Sequence, residues 1–204
     1  MKKHDSDVIV IEVATTALRL IIINKESGKI VATSNVPIDY IKRGIIKDVE
    51  ALTKSVRTLI SQTNKNYLNT IKRVVVALSG SAISSISSSA EVRINNKNKV
   101  VDEDVMDEIF QKLENKIPEN ISQNKKIIHT VPQKYKIDGR TINTNKPIGL
   151  SGGVLELQAL CIFTNKQHLE NVLLACEENN LEVEDVVVSE YAYSKNQISE
   201  ADRL

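Results

Sequence analysis

Ser151 stands in Gly149-Leu150-Ser151-Gly152-Gly153, with a glycine two residues to either side. That is the GxSxG spacing of a nucleophile elbow, in which the serine sits on a sharp turn between a strand and a following helix. Here a strand-like run from Val154 to Phe163 follows instead. The string therefore reads as a tight turn entering a strand. His129 is the base such a serine would need, but a histidine in a strand reads as a hydrogen-bonded cross-strand neighbour. His4, His129 and His168 form no HxxxH pair, and Cys161 and Cys176 form no CxxC pair, so no metal centre is expected. Asp102, Glu103 and Asp104 cluster where a helix begins, and the helix dipole accounts for them without calcium. Lys42-Arg43 and Lys125-Lys126 read as solvated loop charges. No GxGxxG or Walker string occurs among the seven glycines. No catalytic residue is assigned.

The elements that must position these residues are aliphatic. The chain has 204 residues, 41% apolar but only 3% aromatic, with no Trp. Such a core suits a buried sheet covered by helices. With 27 basic against 26 acidic residues, the charge balance gives no case for nucleic acid. No apolar run is long enough to span a membrane, and the polar start MKKHDSD does not lead a signal peptide. The two scattered thiols fit a reducing cytosol.

Val8–Val13 and Leu18–Ile23 read as strands. A hairpin loop, Lys25-Glu26-Ser27-Gly28, leads to a third from Lys29 to Val36, ended by Pro37. Asp48 caps a helix with an apolar stripe of Val49, Leu52, Val56, Leu59 and Ile60. Val74–Leu78 is a fourth strand. This order opens an actin-type or ribonuclease H-type half. Its continuation comes much later: a helix capped by Asn165, a strand Leu181–Val188 and a short helix from Ser189. Between lies a strand (Ile86–Ile94), a helix from Asp102 to Ile117, and two strands (Lys126–Ile137 and Val154–Phe163). Asn95–Lys99 reads as a mobile polar tip. The expected fold is α/β: an actin-like half formed by residues 1–80 and 165–204, with a small α+β subdomain inserted at 81–164.

Pro132 lies inside the strand Lys126–Ile137. Proline donates no ladder hydrogen bond, so this strand is expected at a sheet edge or at a bulge. A loop then runs to Pro147 and the Gly149–Gly153 corner. This stretch resembles the pattern of FtsA, the actin-like bacterial cell-division family: His-x-Ile-Pro-Gln-Glu-Tyr-x-x-Asp, then Gly-x-Ser-Gly. His129, Pro132, Gln133, Tyr135, Asp138, Gly149, Ser151 and Gly152 match it. Val131 replaces Ile and Lys134 replaces Glu. The strings IKRGIIKD (Ile41–Asp48) and VALSG (Val76–Gly80) also resemble the family, and the likeness runs through the whole chain.

The resemblance implies that the first hairpin faces nucleotide phosphates, where relatives read Asp/Glu-Ile-Gly-Thr-Ser/Ala-Lys. This chain reads Glu12-Val13-Ala14-Thr15-Thr16-Ala17. Glu12, Thr15 and Thr16 are the implied phosphate-side residues. Ala14 is expected to hinder a positive φ, and Ala17 removes the cation. A second, glycine-rich phosphate loop would follow Leu204, so the chain is expected to be the first lobe of a longer protein. ATP with magnesium is implied for the intact protein, and no cofactor is expected for this chain alone.

The resemblance further implies a non-enzymatic scaffold on the inner face of the cytoplasmic membrane at the division site. It would link the FtsZ ring to the membrane, recruit later division proteins through the inserted subdomain, and self-associate into filaments. Membrane contact would come only through segments outside this chain. The implied partner-contact residues are the eight that match the pattern. The alternatives are a PilM-like pilus-assembly actin homologue and a nucleotide-independent adaptor.

Overall fold

A computed structural model of the chain describes residues 7–63, 72–144 and 146–197. His4 lies outside them. The chain forms two compact units. One takes the chain up to Ser84 and resumes at Thr164, and the other is Ser85–Phe163. The inserted unit thus begins at Ser85 rather than Ser81 and ends at Phe163 rather than Thr164.

In the first unit, the strands are β1 (Asp7–Val13), β2 (Ala17–Asn24) and β3 (Ile30–Pro37). Two short strands, β4 (Ile41–Lys42) and β5 (Ile45–Ile46), precede helix α1 (Val49–Ser61), and β6 (Arg73–Leu78) follows. Five strands join in one sheet in the order β11-β6-β1-β2-β3, where β11 is Glu182–Val188. β1 runs antiparallel to β2 and parallel to β6, and β6 runs parallel to β11. Segments far apart in the chain therefore share one sheet. The β-branched run of β1 buries Ile9, Ile11 and Val13 on one face, against Leu52, Val56 and Leu59 of α1. Val172, Ala175 and Cys176 of α4 (Lys166–Glu177) complete this core. α5 (Ser189–Gln197) follows β11.

The caps are where the residue types place them. Asp48, Asp102 and Asn165 each accept a hydrogen bond from the amide three residues on. That satisfies one of the donors a helix start leaves open. Asn180, at φ 57, takes the left-handed conformation that stops α4.

In the inserted unit, β7 (Ile83–Arg93), β10 (Val154–Asn165), β8 (Lys125–Ile137) and β9 (Arg140–Ile142) form a four-stranded sheet in that order. Helix α2 (Glu103–Asn115) contributes Val105, Ile109 and Leu113 to a core with Val92, Tyr135, Leu155 and Leu157. A single turn, α3 (Glu119–Ser122), follows Pro118.

Two hairpins were not expected. Ile41 pairs with Ile46 and Lys42 with Ile45. The intervening Arg43 and Gly44 have φ of 51 and 73, as a two-residue hairpin turn requires. Ile137 pairs with Arg140 around Asp138 and Gly139, with φ of 51 and 76. The tip at 95–99 is also better tied than expected. Asn96 Nδ2 donates to Asp102 Oδ2 at 2.7 Å, and the Val100 amide donates to Asn96 Oδ1 at 3.0 Å.

Candidate functional site

At the carboxyl ends of the parallel strands β1, β6 and β11 lies the region where open α/β sheets hold ligands. Three parts of the first unit meet there: the β1–β2 turn, Gly80, and the start of α5. The Ala14 amide donates to Ala17 O at 3.1 Å, closing the turn. The described non-glycine residues with positive φ are Arg43, Lys99, Asp138 and Asn180. Ala14 is not among them, so the turn forms without the strain its missing glycine suggested. Gly80 has φ 81, and a Cβ there would meet Thr15 Oγ1 at 2.6 Å. The Thr15 hydroxyl and the Gly80 backbone are therefore packed together, although they are far apart in sequence.

The charges at this end are already committed. Arg19 Nη1 donates to Glu12 Oε2 at 2.7 Å, and Ser189 Oγ donates to Glu12 Oε1 at 3.1 Å. The Gly80 amide donates to Glu190 Oε1 at 3.1 Å. Thr15 and Gly80 are donors of the kind phosphates use, but the Gly80 amide already holds a carboxylate. Glu12 and Glu190 would both face an incoming anion, and the neighbouring cation, Arg19, is already paired with Glu12. The residues of this half do not by themselves fit a nucleotide phosphate. Ser189 and Glu190 were missed at the sequence level, where they read only as a helix start.

The second cluster is the corner at 138–153. Asp138 occupies the β8–β9 turn, and both its carboxylate oxygens accept from the Gly153 amide, at 3.0 and 3.1 Å. Oδ1 also accepts from the Val154 amide at 2.9 Å. Gly149, at φ 90, donates its amide to Val101 O, and the Gly152 amide donates to Lys99 O. Ser151 bridges Val100 in antiparallel fashion and is exposed. A Cβ on Gly152 would overlap Ile137 Cγ2. Tyr135 is buried in the core, and burial raises its phenol pKa. Geometry thus gives Tyr135, Asp138, Gly149, Ser151 and Gly152 the task of holding β8, β10 and the segment before α2 together. His129 and Pro132 are half-buried on β8, and Gln133 is exposed.

Neither thiol is disposed to react. Burial pushes Cys176 up to about 11 and raises Cys161 as well. Among the described residues no group of three His, Cys, Asp or Glu side chains could hold a metal ion. No described helix is long and apolar enough to cross a membrane.

His168 is 3% exposed in the first turn of α4, and neither ring nitrogen has a hydrogen-bond partner. Burial lowers its pKa from the usual value, and the positive end of the helix dipole acts in the same direction. As pH falls below about 6.5, the unfolded chain takes up this proton before the folded one does. Stability contributed by neutral His168 is present above that pH and is lost as pH falls toward the lowered folded value. The unfolding free energy of the wild type, read from urea titrations, is expected to drop between pH about 7.5 and about 5.5, by no more than about 1.4 kcal/mol per pH unit from this group. His168→Leu is expected to flatten that drop. An equal drop in the variant would contradict the assignment.

Residues 80–163 match the SHS2 domain inserted in FtsA. The cell division protein FtsA of Streptococcus pneumoniae is 22% identical over 196 residues, covering 95% of this chain and 42% of that protein. FtsA of Bacillus subtilis is 21% identical over 195 residues, covering 95% and 43%. The chain spans about two fifths of the length of these curated relatives. Among solved structures, a PilM-PilN type IV pilus biogenesis complex aligns with a TM-score of 0.60. It covers 92% of this chain and 49% of that chain at 17% identity, a likeness of fold. The chain is FtsA-like: an actin-like α/β half into which an SHS2 domain is inserted.

Proposed function

We propose that this chain is the N-terminal part of a cell-division scaffold that links the FtsZ ring to the cytoplasmic membrane and recruits later division proteins through its inserted unit. The observation that carries this reading is that the stretch matching the FtsA insert, 80–163, falls on the compact unit Ser85–Phe163. An inserted unit with its own core can present a surface without disturbing the sheet it interrupts. His129, Pro132 and Gln133, on the part of β8 that β9 does not cover, are its contact residues. The scaffold acts at the inner face of the membrane, self-associates, and performs no catalysis through this chain. FtsZ and membrane attachment belong to the remaining three fifths of the relatives' length.

The test is to replace Ser85–Phe163 by a short Gly-Ser linker in cells that depend on the protein. FtsZ rings are expected to assemble while later division proteins fail to arrive and cells grow as filaments. Normal division would contradict the reading. Normal division with loss of pili would favour the PilM-like alternative, which shares the fold.

ATP with magnesium is proposed for the intact protein, between this half and a second one, with Thr15 and Thr16 on the phosphate side. For this chain alone the paired Glu12 and the Glu190 carboxylate on the Gly80 amide oppose an anion. Calorimetry with ATP and magnesium is expected to show no micromolar binding to the chain. Micromolar binding would show that these carboxylates move aside without cost.

A further inference from the structure

The core of the inserted unit comes to the surface at one corner. Tyr135 and Ile137 of β8 belong to that core. Across the hairpin, Tyr135 pairs with Ile142 and Ile137 with Arg140. Directly opposed residues share a face of the sheet, so Ile142 and Arg140 stand on the core side of β9, the outermost strand. Ile142 is only partly buried against the core, and Arg140 is exposed. A cavity of about 540 Å³ opens there, lined by Ile137, Asp138, Arg140, Ile142, Leu150 and Ser151.

Two features mark this cavity. One is an apolar wall fixed in place. Leu150 is 37% exposed, and with Ile148 at 49% it makes up the large exposed apolar side chains among the described residues of the inserted unit. The Leu150 amide donates to Pro147 O at 3.1 Å, and its carbonyl accepts from the Val101 amide at 2.9 Å. Both main-chain groups are committed, so the backbone cannot carry this side chain inward without breaking them. The other feature is an unmatched charge. The Arg140 guanidinium makes no ion pair among the described residues. Asp138, the acid that lines the cavity, accepts from the amides of Gly153 and Val154. Asp102, Glu103 and Asp104, at the start of α2, do not line it. Lys146, exposed in the same loop, also makes no ion pair among the described residues.

An apolar wall beside a free guanidinium selects its occupant. An aliphatic side chain entering from outside would extend the core past Ile142. A carboxylate next to it would meet the planar donor fork of Arg140. We propose that this corner docks a segment of a partner protein in which Leu, Ile or Val stands beside Asp or Glu. The aliphatic residue fills the cavity against Ile142 and Leu150, and the carboxylate pairs with Arg140. A basic residue in the acid's place is repelled by Arg140 and Lys146. The inference rests on the reading of the inserted unit as an interaction module, and names the face and the partner chemistry.

The test uses the 204-residue chain and three short peptides blocked at both ends: Ser-Leu-Asp-Ser, Ser-Leu-Lys-Ser and Ser-Ser-Asp-Ser. Binding is read from amide shifts by NMR at up to millimolar peptide. The Leu-Asp peptide is expected to shift Arg140–Ile142 and Leu150–Ser151. The other two, each lacking one half of the recognised pair, should bind at least about tenfold more weakly. Arg140→Glu should reverse the preference between the Asp and Lys peptides, and Leu150→Ser should weaken both. Both side chains are exposed, so an unchanged unfolding midpoint is expected of each variant. Lys116→Glu, at the far end of α2, should change nothing. Equal affinity for the three peptides, shifts elsewhere than this corner, indifference to Arg140→Glu, or no binding at millimolar peptide would overturn the proposal. So would corner shifts that grow with protein concentration alone, since those would assign the cavity to a second copy of the chain. None of these outcomes depends on the division phenotype, so failure here leaves the scaffold reading standing, and failure there leaves the corner's chemistry standing.

Discussion

Gly44→Ala is expected to lower the stability of the chain by about 3 kcal/mol or more, by the mechanisms that produce the largest single-residue losses. Gly44 is the second turn residue of the β4–β5 hairpin, buried and at φ 73. An added Cβ would meet Ala82 Cα at 2.6 Å, Ser81 O at 2.6 Å and the Ala82 amide nitrogen at 2.7 Å. These are backbone atoms, and none can rotate away. The hairpin must lift off the turn after β6, or the turn must move, taking Gly80 and Thr15 with it. At about 2–4 °C per kcal/mol for a chain of this size, the melting temperature should fall by roughly 6–12 °C. Gly28→Ala is the control: its φ is 64, but nothing lies within 4 Å of the added carbon. It should cost about 1 kcal/mol, the conformational term alone. Equal small losses for both variants would show that the hairpin is not held against Ala82.

Gly152→Val should be the most damaging change in the inserted unit's corner. Its first added carbon overlaps Ile137 Cγ2 and comes 3.1 Å from Asp138 Oδ2. Ile137 is β-branched and buried in the unit's core, so it cannot swing aside freely. Overpacking of this kind costs about 1–3 kcal/mol, and the displaced carboxylate adds to it. The amides of Gly153 and Val154 should lose exchange protection together, since both donate to Asp138. Asp138→Ala removes the acceptor without the clash and should cost about 1 kcal/mol, since this corner is open to water. A Gly152→Val protein with an unchanged unfolding midpoint would mean that the corner is free to rearrange.

Long elements were legible because each carries a period. The β-branched runs of β1 and β2 and the stripe on α1 follow from burial of one face, and the caps Asp48, Asp102 and Asn165 follow from helix ends needing acceptors. The short elements were not. β4 and β5 have two residues each, too few for any pattern, and what fixes them is Gly44 against Ala82. The β8–β9 hairpin did have a local signal, since Asp138-Gly139 is among the strongest turn pairs, but the loop reading passed over it.

The candidate site divides the same way. The string from His129 to Gly153 could be matched by residue type. Only coordinates separate residues that build the corner from those that face outward. Asp138 matches the family pattern and is an implied partner contact in the sequence, yet its carboxylate accepts from the amides of Gly153 and Val154. Conversely, Glu190 carried no signal at all. Its bond to Gly80 spans 110 positions, and Ser189 reaches Glu12 across 177.

Independence of the inserted unit from the sheet it interrupts is tested most directly by excision. The Thr164 hydroxyl donates to Ala82 O at 3.4 Å, so the chain ends left by removing Ser85–Phe163 lie close enough for a short Gly-Ser linker. The shortened protein is expected to unfold in urea in one cooperative transition. Amides of Val10–Val13 in β1 and Val186–Val188 in β11 should stay protected, because β6 still joins them. A shortened protein without a cooperative transition, or one that keeps protection in β1 while losing it in β11, would contradict the insertion of a self-sufficient unit into an actin-like half.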